Sequence, residues 1–208
     1  MSALQTGLTI KKIHVIVHPM DFGKPLATTL CVKGKNYVFE HKTPEQELFE
    51  KWRKSVREVA DDPNAIMVFV PLESDIKHFK AKKSNDLIEL MKEAKKTLGE
   101  RAFFLKGVTG MSLPQYEAAP RLEILRFGDR YTASVNKIKA RKLRDYLEKV
   151  KSLFNARGVK VHEEAEIEGY GIYAHLCVTD AVENIGWLLG IPPERQKINL
   201  EKSVNSWA

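Results

Sequence analysis

Apolar residues fall along this chain in two rhythms: short blocks with little polar interruption alternate with longer stretches in which every third or fourth residue is apolar. The first block, 12–18, carries Ile13, Val15, Ile16 and Val17, a β-branched run suited to a strand buried on both faces, and Pro19 closes it. Similar blocks at 65–72 and 102–106 predict two more strands. Between the first and second blocks, Leu30, Val32, Tyr37 and Val38 flank the turn-like centre Lys33-Gly34-Lys35, which predicts a hairpin over 27–39.

The helical stretches carry their own start and stop signals. Thr43-Pro44-Glu45-Gln46 supplies a cap, a first-turn proline and a capping-box partner for a helix running to about Ala60. Leu48, Phe49, Trp52, Val56 and Val59 share one face of it, and Asp61-Asp62-Pro63-Asn64 ends it. Ser84 or Asn85 caps the next helix, with Leu87, Ile88, Met91, Ala94 and Leu98 on one face before Gly99. A third helix, 135–156, follows from Leu143, Tyr146, Leu147, Val150, Leu153 and Phe154, with Gly158 as its stop. Residues 107–120, rich in Gly and Pro, read as a connecting loop, and 122–127 as a short strand. A strand at 161–167, a helix at 173–189 and a strand at 197–200 complete the series. Strands alternating with helices predict an α/β fold, a Rossmann-like three-layer sandwich with a mainly parallel sheet, as a single domain over 1–208.

Composition narrows the setting. A chain of 208 residues with 43% hydrophobic content buries one good core. The apolar stretches, such as those at 65–70 and 103–105, fall far short of the roughly 20 residues that span a bilayer, so no membrane partner is expected. Residues 1–9 lack the basic start and apolar stretch of a secretory signal, which predicts a cytoplasmic protein. Two cysteines, Cys31 and Cys177, with no CxxC pair, argue against a disulfide framework and a zinc module; no metal or cofactor is expected. The net charge of +7 favours anionic ligands, nucleic acid or acidic partners. Val204 and Trp207 near the C-terminus make a homo-oligomer a further expectation.

In open parallel sheets, ligands bind beyond the carboxyl ends of the strands. The residues expected there are His18 and Asp21, Glu73 and Asp75, Lys106, Gly107 and Gly110, and Gly169 and Gly171. They offer an imidazole, carboxylates, an amine and flexible turns for acid/base work or anion binding, although polar loops are the norm. His14 and His18 stand roughly 13 Å apart on an extended strand, too far to chelate one ion, and His14 reads as a core or sheet-face residue. Neither Gly-x-Gly-x-x-Gly after the first strand, nor a P-loop, nor Gly-x-Ser-x-Gly occurs. Gly107-Val108-Thr109-Gly110 is either a phosphate-binding turn or simply a tight one.

Cys177 admits two readings. A last helix that starts near His175 brings its positive end to the thiol and favours a thiolate; one that starts at Gly171 makes Cys177 a small core residue. The run Gly171-Ile172-Tyr173-Ala174-His175-Leu176-Cys177-Val178 resembles the glycine-to-Cys-Val stretch of isochorismatase-like cysteine hydrolases, with the likeness centred on 167–200. That family pairs a nucleophilic cysteine with an aspartate after the first strand and a lysine from another strand end. The resemblance therefore implies Cys177, Asp21 and Lys106 as the catalytic set. His18 stands where the family aspartate falls, and Asp21 lies three residues beyond it.

The basic runs Lys77-His78-Phe79-Lys80-Ala81-Lys82-Lys83 and Lys137, Lys139, Arg141, Lys142, Arg144 support a different function. A basic surface with an interleaved aromatic suits a nucleic-acid backbone, while charge on the outer side of an amphipathic helix is expected in any case. Two functions are thus in view. One is a small-molecule-binding α/β protein taking a small anionic ligand, in its sharpest form a cysteine-dependent hydrolase. The other is a basic nucleic-acid- or protein-binding module without catalysis.

Overall fold

The computed structural model describes residues 7–18, 26–32, 35–41, 46–71, 85–105, 112–114, 125–126, 129–130, 133–172 and 174–204. Its centre is a five-stranded, all-parallel sheet built from β1 (Leu8–Val17), β4 (Ala65–Val70), β5 (Ala102–Phe104), β8 (Val159–Gly171) and β9 (Gln196–Ile198). The strand order is β5-β4-β1-β8-β9, so the chain starts in the middle, builds outward on one side, then returns to build the other. Two antiparallel hairpins stand apart from this sheet: β2 (Leu26–Val32) with β3 (Lys35–His41), and β6 (Leu125–Arg126) with β7 (Asp129–Arg130). The first is the hairpin expected around Lys33-Gly34-Lys35; its register joins Val32 to Lys35.

Side-chain alternation along the strands divides the core in two. Helices α1 (Gln46–Asp61) and α2 (Asn85–Leu98) cover one face, where Trp52, Val56, Leu90 and Ala94 pack on Ile16, Met67, Phe69 and Tyr170. Helices α3 (Ala133–Ala156) and α4 (Thr179–Leu189) cover the other, where Leu147, Phe154, Val182 and Ile185 meet Val15, Val17, Val68 and Ile167. Helices on both faces of a parallel sheet make the three-layer α/β sandwich that the alternation of strands and helices predicts. Phe103 stacks on Phe154 of α3 with centroids 4.1 Å apart, and Phe104 on its register partner Phe69 of β4 at 5.2 Å, tying the short edge strand β5 to one helical layer and to its neighbouring strand.

Most element ends fall where the sequence signals put them. Gly99 takes a left-handed φ of 56° after α2, Gly158 a φ of 67° after α3, and Gly190 one of 70° after α4. Two strands depart: β1 starts at Leu8 rather than at Lys12, and β8 runs from Val159 to Gly171 rather than from Val161 to Ile167. The first half of β8 bulges: Ile10 pairs with Val161 and Lys12 with Glu166, so β1 advances two residues while β8 advances five. The acidic alternation at 162–166 is the exposed side of that bulge. The buried half lies beyond it. The first-turn residues Thr43, Pro44 and Glu45, the Ser84 cap and most of the 122–127 segment fall outside the described residues.

Candidate functional site

The chain reverses its direction of sheet growth between β1 and β8, so their carboxyl ends flank the switch point where a crevice opens in such folds. At the exit of β1, His18 holds a left-handed φ of 48°, and its N–H donates to the Val70 carbonyl at 2.8 Å. A non-glycine residue there is uncommon and strained, a pattern concentrated at functional positions. The ring is buried, with 2% of its surface exposed. Desolvation lowers its pKa to about 4. At neutral pH His18 is therefore an uncharged hydrogen-bonding group rather than an imidazolium.

At the exit of β8, Gly169 and Gly171 are strand residues rather than loop residues, for a steric reason in each case. A Cβ on Gly169 would run into Val182, with Val178 Cγ1 another 3.1 Å away, so the helix lies directly on the strand. Gly171 has a φ of 134°, and a Cβ there would overlap the Val17 carbonyl. That carbonyl instead accepts from the Ile172 N–H at 3.0 Å, closing β1 against β8 at their last residues.

The helix that leaves β8 opens with one π-helical turn, Ala174–Val178, and continues as α4. The Thr179 hydroxyl closes this turn by donating to the Ala174 carbonyl at 3.0 Å. β1 packs directly against it. Cys177 sits in this opening turn, partly exposed and in contact with the core of the α3/α4 face. The helix thus starts between the two positions considered from sequence and keeps Cys177 at its positive end. Single π turns recur at functional sites, where they set side chains out of ordinary helical phase. One and two turns further on, Asp180 and Asn184 are buried. The Asn184 side-chain oxygen accepts from the Leu113 N–H at 2.7 Å, anchoring the segment that follows the β5 exit onto α4.

Of the strand-end residues expected from sequence, His18, Gly169, Gly171 and Cys177 occupy this junction. Asp21, Glu73, Asp75, Lys106, Gly107 and Gly110 lie outside the described residues, as do Lys77–Lys83 and Trp207. Arg141, Lys142 and Arg144 are exposed along α3. Among the described residues, no three His, Cys, Asp or Glu side chains group to hold a metal ion, and no helix is long and apolar enough to cross a membrane.

Sequence reasoning passed over a polar network on the α1/α2 side of the same strands. His14 Nδ1 stands 3.2 Å from Glu168 Oε2 and 3.5 Å from the Tyr170 hydroxyl. Asn199 Nδ2 donates to Glu168 Oε1 at 2.7 Å, and Lys202 lies 3.9 Å from its other oxygen. The hydrogen bond from His14 does most to hold the Glu168 pKa down at about 2, with Asn199 and Lys202 adding to it against the opposing effect of burial. Burial pushes the Tyr170 phenol above its ordinary value. A groove of about 660 Å³ lies between α4 and β9, lined by Thr179, Val182, Trp187, Ile191, Pro193 and Ile198 among others; His18, Gly171 and Cys177 are not part of its lining.

No family model, curated protein or solved structure matches this chain.

Proposed function

We propose that the protein binds a small anionic molecule at the carboxyl ends of β1 and β8 and acts on it as a cysteine-dependent hydrolase, with Cys177 as nucleophile. The observation that carries this reading is the presence of Cys177 in the opening turn of the helix that leaves β8 at the switch point. Helix-start N–H groups attract an anion and stabilise a thiolate. The net charge of +7 draws in an anionic substrate. A cytoplasmic setting, which keeps thiols reduced, fits a Cys177 that is in no disulfide.

The likeness of residues 171–178 to isochorismatase-like cysteine hydrolases supplies the remaining roles. In this scheme Asp21 takes the thiol proton and Lys106 supports the developing negative charge. Sγ attacks the carbonyl carbon of an acyl–nitrogen bond, and the C–N bond breaks as the amine leaves with the proton returned by Asp21. Water then cleaves the thioester, giving a carboxylic acid and restoring the thiol. His18, neutral at pH 7, serves as a hydrogen-bond partner in the crevice rather than as a counter-ion.

The test is hydrolysis of a panel of small carboxylate-bearing amides, run alongside iodoacetamide labelling of the Cys177 peptide read by mass spectrometry. Turnover lost in Cys177→Ala, with labelling at Cys177 in the wild type, is the expected result. Turnover unchanged in Cys177→Ala sinks the proposal. A second reading, binding without catalysis, draws on the contact of Cys177 with the α3/α4 core. It expects Cys177→Ala to keep ligand affinity and lose only stability. A nucleic-acid-binding module, by contrast, requires salt-dependent affinity that falls when Lys80, Lys82 and Lys83 are neutralised.

A further inference from the structure

The segment after β9 crosses back over the exit of β8. Asn199 begins it with its N–H on the Gly169 carbonyl at 2.9 Å, and Asn199 Oδ1 accepts from the Lys202 N–H at 3.2 Å to cap a single 3-10 turn, Leu200–Lys202. Ser203 then places its hydroxyl between two backbone groups. The hydroxyl donates to the Asn199 carbonyl at 2.6 Å and accepts from the Gly171 N–H at 3.3 Å. Val204 completes a bracket: its N–H donates to the Gly171 carbonyl at 2.8 Å, and its carbonyl accepts from the Ala174 N–H at 3.4 Å.

Gly171 is thus held through both its N–H and its carbonyl, and Ala174 through its N–H from Val204 and its carbonyl from Thr179. These four bonds fix the two ends of the short connection from β8 to the π turn. The strap is itself bolted to α1. The Trp52 indole N–H donates to the Lys202 carbonyl at 2.9 Å, and the Lys202 ammonium reaches Glu58 at 3.3 Å while lying over the Tyr170 ring at 5.2 Å. Val204 packs at the edge of the α1/α2 core, and the backbone bonds of the strap converge on the turn ahead of Cys177.

We propose that this strap, Asn199 to Val204, is a positioning device for the strand-end site. Ser203 and Val204 set the Gly171-to-Ala174 connection and, through Ala174, the orientation of the opening turn that carries Cys177. The proposal rests on the reading of Cys177 as a nucleophile, and Ser203 is a positioning residue that acts through Gly171. Ser203→Ala leaves the buried Gly171 N–H without its acceptor and releases one side of the bracket. Ser203→Thr keeps the hydroxyl and suits the extended backbone of Ser203, at φ −128° and ψ 154°.

The experiment follows the rate of iodoacetamide alkylation at the Cys177 peptide against pH, by mass spectrometry, in the full-length wild type, Ser203→Ala and Ser203→Thr. Thermal melts in parallel confirm that each is folded. The nucleophile reading expects a wild-type alkylation midpoint below the ordinary thiol value of about 8.5. Ser203→Ala is expected to move it back up by about half a unit or more, roughly a threefold drop in thiolate at pH 7. Ser203→Thr is expected to retain the wild-type profile. A low midpoint in the wild type that Ser203→Ala leaves unmoved overturns the strap proposal alone, as does a Ser203→Thr profile shifted as far as that of Ser203→Ala. An ordinary midpoint in the wild type overturns the nucleophile reading and the strap with it.

Discussion

His14 and Glu168 are direct register partners across β1 and β8, and their side chains meet on the α1/α2 side of the sheet with Nδ1 3.2 Å from Oε2. The pair links the central strand of the fold to the strand that delivers the candidate site. Asn199 and Lys202 attach the C-terminal strap to the same carboxylate, and Glu58 of α1 holds Lys202 from the far side.

This junction makes the protein acid-sensitive over a defined range. The Glu168 pKa is about 2 in the fold against an ordinary 4.5. Below pH 4.5 the unfolded chain takes up a proton that the native state refuses, so the stabilisation is complete above 4.5 and drains away as the pH falls toward 2. Glu168→Gln should cost on the order of 2 kcal/mol at pH 7 and flatten that part of the stability profile. Urea unfolding at pH 7, 4.5 and 3 checks it. A variant whose stability falls as steeply as that of the wild type between pH 4.5 and 3 would show that the acid response comes from elsewhere.

His18 predicts a separate response at milder pH. Burial lowers its pKa from 6.5 to about 4, so between those values the unfolded chain binds a proton that the native state does not. Stability is full above 6.5 and declines as the pH drops toward 4. His18→Asn removes the titration while tolerating the left-handed backbone, and should flatten the decline between pH 6.5 and 4. His18→Val also removes it but forces a β-branched residue to a φ of 48°, which should cost about 2 kcal/mol or more at pH 7. Equal stability of the two variants at pH 7 would contradict the backbone argument.

The contrast between these helix ends and β8 shows what local sequence conveys. Gly99 and Gly158 stop their helices by their own chemistry, so the ends of α2 and α3 were legible. Gly169 and Gly171 carry the same letter for the opposite reason: they continue a strand where Val182 and the Val17 carbonyl leave no room for a side chain. Only the partners, far away in sequence, distinguish the two cases. Strand order is illegible for the same reason, since alternation says that strands are parallel and not which are neighbours. His18 could be picked out because it leaves a buried strand, and Cys177 because of the residues around it. Ser203 could not, because its role depends on meeting Gly171, 32 positions earlier.

Arg101 is a single-residue cap for α1. Its guanidinium donates to the carbonyls of Val59 at 2.8 Å, Ala60 at 3.1 Å, Ala65 at 3.2 Å and Asp62, joining the end of the helix to the start of β4. α1 has no basic residue in its own last turn, so this arginine supplies the positive charge its negative end lacks. Arg101→Met should lower stability by about 2–3 kcal/mol, and Arg101→Lys should recover less than half, because an ammonium cannot span four carbonyls as a planar fork does. Thermal and urea denaturation of both variants decide it, and full recovery by lysine would reduce the contact to simple charge.

The approach of α4 to β8 can be tested by compensation. On the strand, Gly169 leaves a gap that Val182 fills and Val178 borders. Gly169→Ala must push the helix off the strand, and a strain of about 1–3 kcal/mol is expected from overpacking. Val182→Ala alone removes two buried methyl groups beside the groove between α4 and β9, at roughly 1–2 kcal/mol. In the double variant the new methyl on the strand occupies the space vacated on the helix, so the combined loss should fall short of the sum of the two by about 1 kcal/mol or more. Because the opening turn with Cys177 is continuous with α4, Gly169→Ala should also disturb thiol alkylation at Cys177, and the double variant should restore it. Urea midpoints and alkylation rates across all four proteins of the cycle measure both effects. Strict additivity in stability, with alkylation unchanged throughout, would mean that the gap beneath Val182 sets neither the packing of the helix nor the position of the thiol.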